Sequence, residues 1–194
     1  MMNSMGNASN NDLFQNMLDQ AAINFESSLD YEVSKLLKES GQTLAVAESI
    51  TGGLLSQRIT TLAGSSQFFL GGIVTYHNKL KIKLAGVSPV TIKEHSVVSA
   101  PVALEMVRGI KRISNADICI STTGIAGPET QDFPKELTGR VFIGYILNQE
   151  ERAKQFIFTG TRDMIRRQTT VAALTLLKQY LINRESLEPL VFEQ

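Results

Sequence analysis

The 194-residue chain has few of the residues on which several protein classes depend: it has no tryptophan, one cysteine (Cys119) and two histidines (His77 and His95). A single cysteine excludes an intramolecular disulfide and favours a reducing compartment, so we expect a cytoplasmic protein. So few sulfur and imidazole ligands disfavour a structural zinc site.

The chain also lacks an excess of charge and a long apolar run. Lys plus Arg and Asp plus Glu each total 19, which leaves no basic surplus to indicate binding to nucleic acid or to an acidic membrane surface. No stretch approaches about 20 apolar residues, and the polar start MMNSMGNASNND lacks the pattern of a signal peptide. We therefore expect neither nucleic acid nor membrane as a partner.

A hydrophobic content of 43% at this length is typical of one globular domain. We expect an N-terminal extension over residues 1–28, partly disordered or helical, because its start is rich in Asn, Ser and Met. The domain itself is expected over residues 29–186, and a tail without clear structure over residues 187–194.

Apolar patterns predict strands that alternate with helices and end in a hairpin and a long helix. The predicted strands lie at 43–48, 68–76, 117–124, 140–148 and 152–160. Ser88, with Pro89 behind it, is expected to open a helix, Pro101 to lie in a first turn, and Thr161 to cap the long helix. This order predicts a single-domain α/β/α sandwich around a mixed, mostly parallel sheet, with a C-terminal strand hairpin and a long terminal helix.

The stretch VAESITGG (46–53) places polar residues at the end of a predicted strand. Sites in open α/β sheets form at the carboxyl ends of strands, so Ser49 is a candidate nucleophile. A serine in front of a helix can equally be a simple cap, and both readings stay open. Gly52 and Gly53 would let the backbone approach a substrate, and nearby helix N-terminal amides could hold an oxyanion.

A nucleophilic serine needs a base, and the usual arrangements are missing. The chain has no G-x-S-x-G elbow and no Ser-x-x-Lys pair, and two histidines supply a triad poorly. A buried lysine with a lowered pKa could serve, and Lys79, Lys81 and Lys83 follow the second strand, although each could be an ordinary surface charge. Tyr76 could orient such a lysine or protonate a leaving group, or simply sit at the sheet margin.

Two further segments are candidates for ligand contacts. GIAG (124–127), followed by Pro128, is a tight glycine turn after a strand. Arg162, Arg166 and Arg167 surround the start of the last helix, where they could bind phosphate or be ordinary exposed arginines. The chain has neither a G-x-x-x-x-G-K-[ST] loop nor a G-x-G-x-x-G fingerprint, which disfavours a P-loop ATPase and a Rossmann dehydrogenase.

Six segments in order resemble one family. AESITGG, GSSQFFLGGIVTYHNKLK, LAGVSP, TTGIAGP, residues 139–144 and GTRDMIRRQ are similar to the C-terminal domain of the competence-damage protein CinA, a family that includes stand-alone nicotinamide mononucleotide amidases. The likeness runs from about Leu29 to about Leu181. It implies hydrolysis of the carboxamide of nicotinamide mononucleotide to nicotinate mononucleotide and ammonia, without metal or cofactor, in pyridine nucleotide recycling.

The resemblance also implies roles for individual residues. The nucleophile of the family's A-E-S-C-T-G-G falls on Ser49, and the tyrosine and lysine of T-Y-S-N-x-x-K fall on Tyr76 and Lys81. Arg162 matches a phosphate contact. The other substrate-binding residues expected from the matched motifs are Glu48, Thr51, Gly52, Gly53, Thr123, Gly124, Ala126 and Gly127.

This chain departs from the family pattern in three places. Ile50 stands where cysteine is usual, and His77 replaces a small residue after the tyrosine. ETQDFPKELTG follows the glycine turn where relatives commonly have more glycines, and Glu129 and Asp132 would repel a phosphate if they faced the pocket.

The departures keep two alternatives open: a catalytically weak homologue that acts as a binding or regulatory module, or an amidase for another small amide. Association into a homodimer or higher homo-oligomer is the family's habit and is expected here.

Overall fold

The computed structural model describes residues 29–128, 134–147 and 149–183. The expectations for residues 1–28, for Glu129 and Asp132 and for the tail 187–194 fall outside these ranges, and the domain limits stay a prediction. The elements in chain order are α1 (Leu29–Ser40), β1 (Leu44–Glu48), α2 (Leu54–Thr60), β2 (Phe69–Val74), α3 (Asn78–Lys83), α4 (Pro89–His95), α5 (Ala100–Ser114), β3 (Ile118–Gly124), β4 (Arg140–Leu147), β5 (Glu150–Ile157) and α6 (Arg162–Asn183). Short 3₁₀ turns lie at Ser65–Gln67 and Lys135–Leu137. No helix in the described ranges is long and apolar enough to cross a membrane.

The strands form one mixed sheet in the order β2-β1-β3-β4-β5. β1 runs parallel to β2 and β3, whereas β4 pairs antiparallel with both β3 and β5. Glu48, the last residue of β1, is in register with Val74 and Thr122. Because parallel strands end at the same edge, the segments that follow these three residues meet there.

Helices cover both faces of the sheet, which confirms the predicted three-layer α/β/α architecture. Successive strand residues point to opposite faces, so Leu44 and Val46 join a core with α1, α2 and α6, while Ala45 and Ala47 pack with α5. The small alanines let α5 lie close behind the centre of the sheet.

The predicted helix starts are confirmed by their hydrogen bonds. Ser88 Oγ accepts from the Val90 N–H at 3.2 Å, and Pro89 opens α4. Thr161 Oγ1 accepts from the Met164 N–H at 3.3 Å at the start of α6. Pro101 lies in the first turn of α5, as expected. These helix starts depend on residues that are close together in the chain, so the sequence predicts them directly.

Some boundaries differ from the predicted ones. The helix predicted to include Gly52 begins only at Leu54, because Gly52 and Gly53 have φ of 60° and 98°, which a right-handed helix cannot contain. The last strand is Glu150–Ile157, two residues earlier than expected at its start. Val171, predicted near the buried face of α6, is 44% exposed because it lines a groove beside β5.

The glycine in α5 allows close contact with the end of α3. A Cβ atom built on Gly109 would lie 1.8 Å from the Ala85 carbonyl oxygen, two residues after α3 ends. We predict that Gly109→Ala lowers the free energy of unfolding by about 1–3 kcal/mol, since the overlap outweighs the better helix propensity of alanine. Urea denaturation measures this, and an unchanged or raised stability would contradict the close packing.

Candidate active site

A cavity of about 620 Å³ opens at the edge where β1, β2 and β3 end. Its walls come from the segments after these strands, from the turn between α4 and α5, and from the start of α6. The lining residues are Ser49, Ile50, Tyr76, Asn78, Lys81, Ile92, Ser96, Val97, Val98, Thr123, Gly124, Ile125, Ala126, Gly127, Pro128 and Arg162.

Ser49 and Lys81 meet at the floor of this cavity. Lys81 Nζ lies 2.7 Å from Ser49 Oγ, and both side chains are buried, at 2% and 7% exposure. Nζ also donates to the backbone carbonyl of Thr75 at 3.0 Å and, at a longer 3.4 Å, to that of Tyr76. The lysine is therefore held from three sides.

This geometry suits the neutral amine. A free amine has two N–H donors and one lone pair, and the carbonyls of Thr75 and Tyr76 can take the two donors. The remaining direction points at Ser49 Oγ, so the lone pair can accept the hydroxyl proton. The arrangement can thus activate the serine by general-base catalysis.

Burial lowers the pKa of Lys81 from the ordinary 10.5 to about 8. The cause is desolvation, which disfavours the ammonium ion, and no carboxylate in the described ranges forms an ion pair with this lysine to offset it. A substantial fraction of the amine is therefore free slightly above neutral pH.

The helix that carries Lys81 reverses the usual burial pattern. In α3 and just after it, Leu80, Ile82 and Leu84 are 37–39% exposed while Lys81 is almost fully buried. Lys79 and Lys83 are exposed. The helical spacing of the sequence could not distinguish them from Lys81. Local rules are broken in this way chiefly where function requires it.

His77 caps α3. Its Nδ1 accepts from the Lys79 N–H at 3.1 Å, so the histidine stabilises the first turn of the helix that carries Lys81. The described contacts place this imidazole at the cap, whereas Lys81 is held by Ser49 and by two backbone carbonyls.

Glu48 caps α2, which leaves Ser49 free. Its Oε2 accepts from the N–H groups of Gly53 at 2.9 Å and Leu55 at 3.0 Å. Its Oε1 accepts from Ser56 N–H at 2.8 Å and Ser56 Oγ at 2.6 Å. The fully buried carboxylate thus satisfies the helix start, and the simple capping role considered for Ser49 falls to its neighbour.

The turn after Ser49 lies beneath the cavity wall. Thr51 is fully buried, and its Oγ1 lies 2.8 Å from Thr122 Oγ1. The Gly52 N–H donates to the Ser49 carbonyl at 3.1 Å, and the Gly53 N–H to Glu48. Both amides expected to hold an oxyanion are therefore engaged within the chain, and the structure does not bring Glu48, Thr51, Gly52 or Gly53 into the cavity lining.

Tyr76 and Arg162 meet at the mouth of the cavity. Arg162 Nη2 donates to the Tyr76 hydroxyl and Nη1 donates to the Gly127 carbonyl. Tyr76 is 57% exposed, so the contact joins three separate segments at the surface. The guanidinium provides a cationic group at the opening, away from the buried serine.

The other two arginines at the start of α6 have different surroundings. Arg166 Nη2 donates to the Thr51 carbonyl at 2.9 Å and so supports the turn behind Ser49. Arg167 Nε donates to Asp163 at 2.6 Å on the surface. The three arginines therefore do not form one cluster, and only Arg162 reaches the cavity among the described contacts.

The glycine turn after β3 forms one wall, together with residues that sequence reasoning did not single out. Thr123, Gly124, Ala126 and Gly127 all line the cavity, as the resemblance implies. The turn between α4 and α5, from Ser96 to Val98, forms another wall. It carries no glycine or recognisable motif, so nothing local indicated a ligand contact there.

The described lining carries the cationic Arg162 at the mouth and no carboxylate. Lys81, whose pKa is lowered, lies at the floor, and the remaining lining side chains are neutral. Such a cavity favours a substrate with a negative charge at one end.

A second groove lies elsewhere and lacks the serine–lysine pair, although Lys154 and Arg167 belong to its lining. It has a volume of about 710 Å³, is lined by β5 and α6, and contains Phe156, Phe158 and Leu176.

In the described parts of the chain, no group of three or more His, Cys, Asp or Glu side chains could hold a metal ion.

The fold and the site define a class: a three-layer α/β domain with a buried serine–lysine pair at the carboxyl ends of parallel strands. The sequence model of the family described as CinA C-terminal domain matches residues 26–181, and the chain belongs to that family.

Relatives support the same assignment. A CinA-like protein of Thermotoga maritima is 42% identical over 160 residues, which is 82% of this chain and 39% of that protein. A putative competence-damage inducible protein of Alkaliphilus metalliredigens is 44% identical over 155 residues, 80% of this chain and 38% of that protein. This chain thus spans about two-fifths of the length of these relatives.

Solved structures have the same fold. The competence damage-inducible protein A of Klebsiella pneumoniae superposes with a TM-score of 0.75 at 31% identity, over 79% of this chain and 95% of that one. The competence/damage inducible protein CihA of Agrobacterium tumefaciens gives a TM-score of 0.69 at 30% identity, over 78% and 96%.

The role of Glu48 can be tested through stability. Glu48→Gln replaces an acceptor oxygen by an N–H₂ group that faces the N–H donors of α2. We expect a loss of about 2–3 kcal/mol in the free energy of unfolding, measured with urea. Glu39→Gln, at an exposed carboxylate of α1, is the control and should change stability by less than about 0.5 kcal/mol. Equal stability of Glu48→Gln and the parent would refute the capping role.

Proposed function

We propose that the protein hydrolyses the carboxamide of nicotinamide mononucleotide, releasing ammonia and nicotinate mononucleotide. The observation that carries this proposal is the contact of 2.7 Å between Lys81 Nζ and Ser49 Oγ inside a cavity. Membership of the CinA C-terminal domain family and the motifs quoted above support the choice of substrate.

The cavity fits a substrate of this kind in size and charge. A volume of about 620 Å³ lies in the range typical of small-molecule sites. The carboxamide would lie at Ser49, and the phosphate would lie towards Arg162, whose fork of N–H donors suits an anionic group. An incoming phosphate would compete with Tyr76 and the Gly127 carbonyl for this guanidinium.

In the acylation step, Ser49 Oγ attacks the carboxamide carbon while Lys81 takes the hydroxyl proton. The C–N bond then breaks, and the departing nitrogen receives the proton held by Lys81, either directly or through the Tyr76 hydroxyl, so that ammonia leaves and Lys81 is a free amine again. The product of this step is an ester between Ser49 and the nicotinate group.

In the deacylation step, water attacks the ester carbon and Lys81 again accepts a proton. The bond to Ser49 Oγ breaks, Lys81 returns the proton to the serine, and nicotinate mononucleotide is released. One water is consumed for each ammonia formed.

The developing oxyanion needs a donor other than those of Gly52 and Gly53. The Ile50 N–H is adjacent to the nucleophile, belongs to a residue of the cavity wall, and has no backbone acceptor among the described residues. We assign it as the oxyanion donor, since a backbone amide next to the attacking serine is a common arrangement.

The central test is ammonia release from nicotinamide mononucleotide by the purified protein and its variants. Ser49→Ala and Lys81→Ala should each lower kcat by about a thousandfold or more, because each removes one member of a unit. Lys79→Ala and Lys83→Ala are matched controls, since these lysines lie on the same short helix but are exposed, and they should keep parental turnover.

Wild-type turnover by Ser49→Ala would show that another group is the nucleophile. Binding of the nucleotide without ammonia release, by folded parental protein, would instead favour the binding or regulatory module. Release from glutamine but not from the nucleotide would favour an amidase for another small amide. Homo-oligomer formation and a cytoplasmic location stay predictions.

The pH dependence should report Lys81. The base must be the free amine, and the pKa of Lys81 is lowered to about 8. We predict that kcat/KM rises about tenfold per pH unit below this value and levels off above it, because protonation removes the acceptor. Initial rates measured from pH 6 to 9.5 test this, and a rate that stayed constant across pH 8 would exclude Lys81 as the base.

A further inference from the structure

Ser96 has a backbone conformation that non-glycine residues rarely adopt. Its φ and ψ are 68° and 156°, in a region used almost exclusively by glycine, and Ser96 lines the cavity. We propose that Ser96 determines specificity by hydrogen-bonding a hydroxyl group of the substrate's sugar; this inference rests on the proposed function.

The chain on both sides of Ser96 is held in place. The Ser96 carbonyl accepts from Ser99 Oγ at 2.9 Å, and Ser99 caps α5. The next carbonyl, that of Val97, accepts from Thr123 Oγ1 at 3.0 Å, which connects the turn to the end of β3. These contacts hold the backbone at and after residue 96 and involve no atom of the Ser96 side chain.

The side chain of Ser96 adds strain and makes no compensating contact within the described chain. None of the hydrogen bonds found there involves its Oγ, and the residue is exposed. Glycine would adopt the same φ and ψ without the steric conflict of a Cβ atom. A strained, exposed residue that lines a cavity and whose hydroxyl has no partner in the described chain indicates a contact with something that enters the cavity.

Comparison of the lining hydroxyls singles out the same residue. Ser49 is paired with Lys81, Tyr76 with Arg162, and Thr123 with the Val97 carbonyl. Of the described lining hydroxyls, Ser96 is thus the one without a partner in the chain, and its wall is otherwise apolar, with Ile92 and Val98. A serine hydroxyl both donates and accepts, as a sugar hydroxyl does.

The proposed function already assigns protein side chains to the two ends of the substrate. The carboxamide belongs at Ser49 and Lys81, and the phosphate at Arg162. The part between them is the ribose, which is the hydroxyl-bearing portion of the molecule. An unpaired serine hydroxyl on a third wall matches this portion.

Two substitutions at Ser96 separate the hydroxyl from the strain. Ser96→Ala keeps Cβ and removes the hydroxyl, whereas Ser96→Gly removes both. Both variants should raise KM for nicotinamide mononucleotide about 5–10-fold, the effect of one lost hydrogen bond, with kcat within about twofold of the parent. Only Ser96→Gly should also raise Tm, by about 2–4 °C.

Two controls and a second ligand make the test specific. Asn115→Gly relieves a positive φ at the far end of α5, and Ser66→Ala removes an exposed serine hydroxyl outside the cavity lining; both should keep the parental KM. Calorimetry should show that Ser96→Ala binds nicotinate mononucleotide about 5–10-fold more weakly than the parent, while any binding of nicotinate, which lacks the sugar, is unchanged.

Each contrary result has a distinct meaning. Parental KM in both Ser96 variants, with normal turnover by the parent, would overturn the sugar contact and leave the proposed function intact. An unchanged Tm of Ser96→Gly would overturn the strain argument. If the folded parent neither hydrolysed nor bound nicotinamide mononucleotide, the proposed function would fail, and this inference would fail with it.

Discussion

The burial of one lysine amine against one serine hydroxyl is the constraint on which the site depends. Lys81 gains no ion pair in the described chain, so its lowered pKa reflects desolvation alone. The Thr75 and Tyr76 carbonyls orient the amine, and Ser49 lies in the remaining direction. This requires the ends of β1 and β2 to be adjacent, which the parallel pairing of Glu48 with Val74 ensures. The central sheet therefore places Lys81 beside Ser49.

A second polar group beneath the serine keeps it available. Glu48 is fully buried and takes the N–H groups of α2, a role that a serine at the strand end could otherwise perform. Arg166 reaches the same turn from α6 through the Thr51 carbonyl. Ser49 is thus supported by side chains that do not line the cavity and that hold the adjoining turn in place.

Family membership accounts for the three-layer fold of this chain. His77 caps α3 through its imidazole. Part of the segment after the glycine turn lies outside the described residues. The described cavity has the cationic Arg162 at its mouth and no carboxylate in its lining.

Sequence by itself determined the order of helices and strands, the helix caps at Ser88 and Thr161 and the terminal hairpin, because these depend on residues close together in the chain. Motif resemblance indicated Ser49 and Lys81, but helical spacing could not separate Lys81 from Lys79 and Lys83. Only the tertiary structure decided which lysine is buried, that Glu48 caps α2, and that Ser96 faces the cavity. Burial and contacts between distant segments depend on how the layers pack, and a local sequence pattern does not predict that packing.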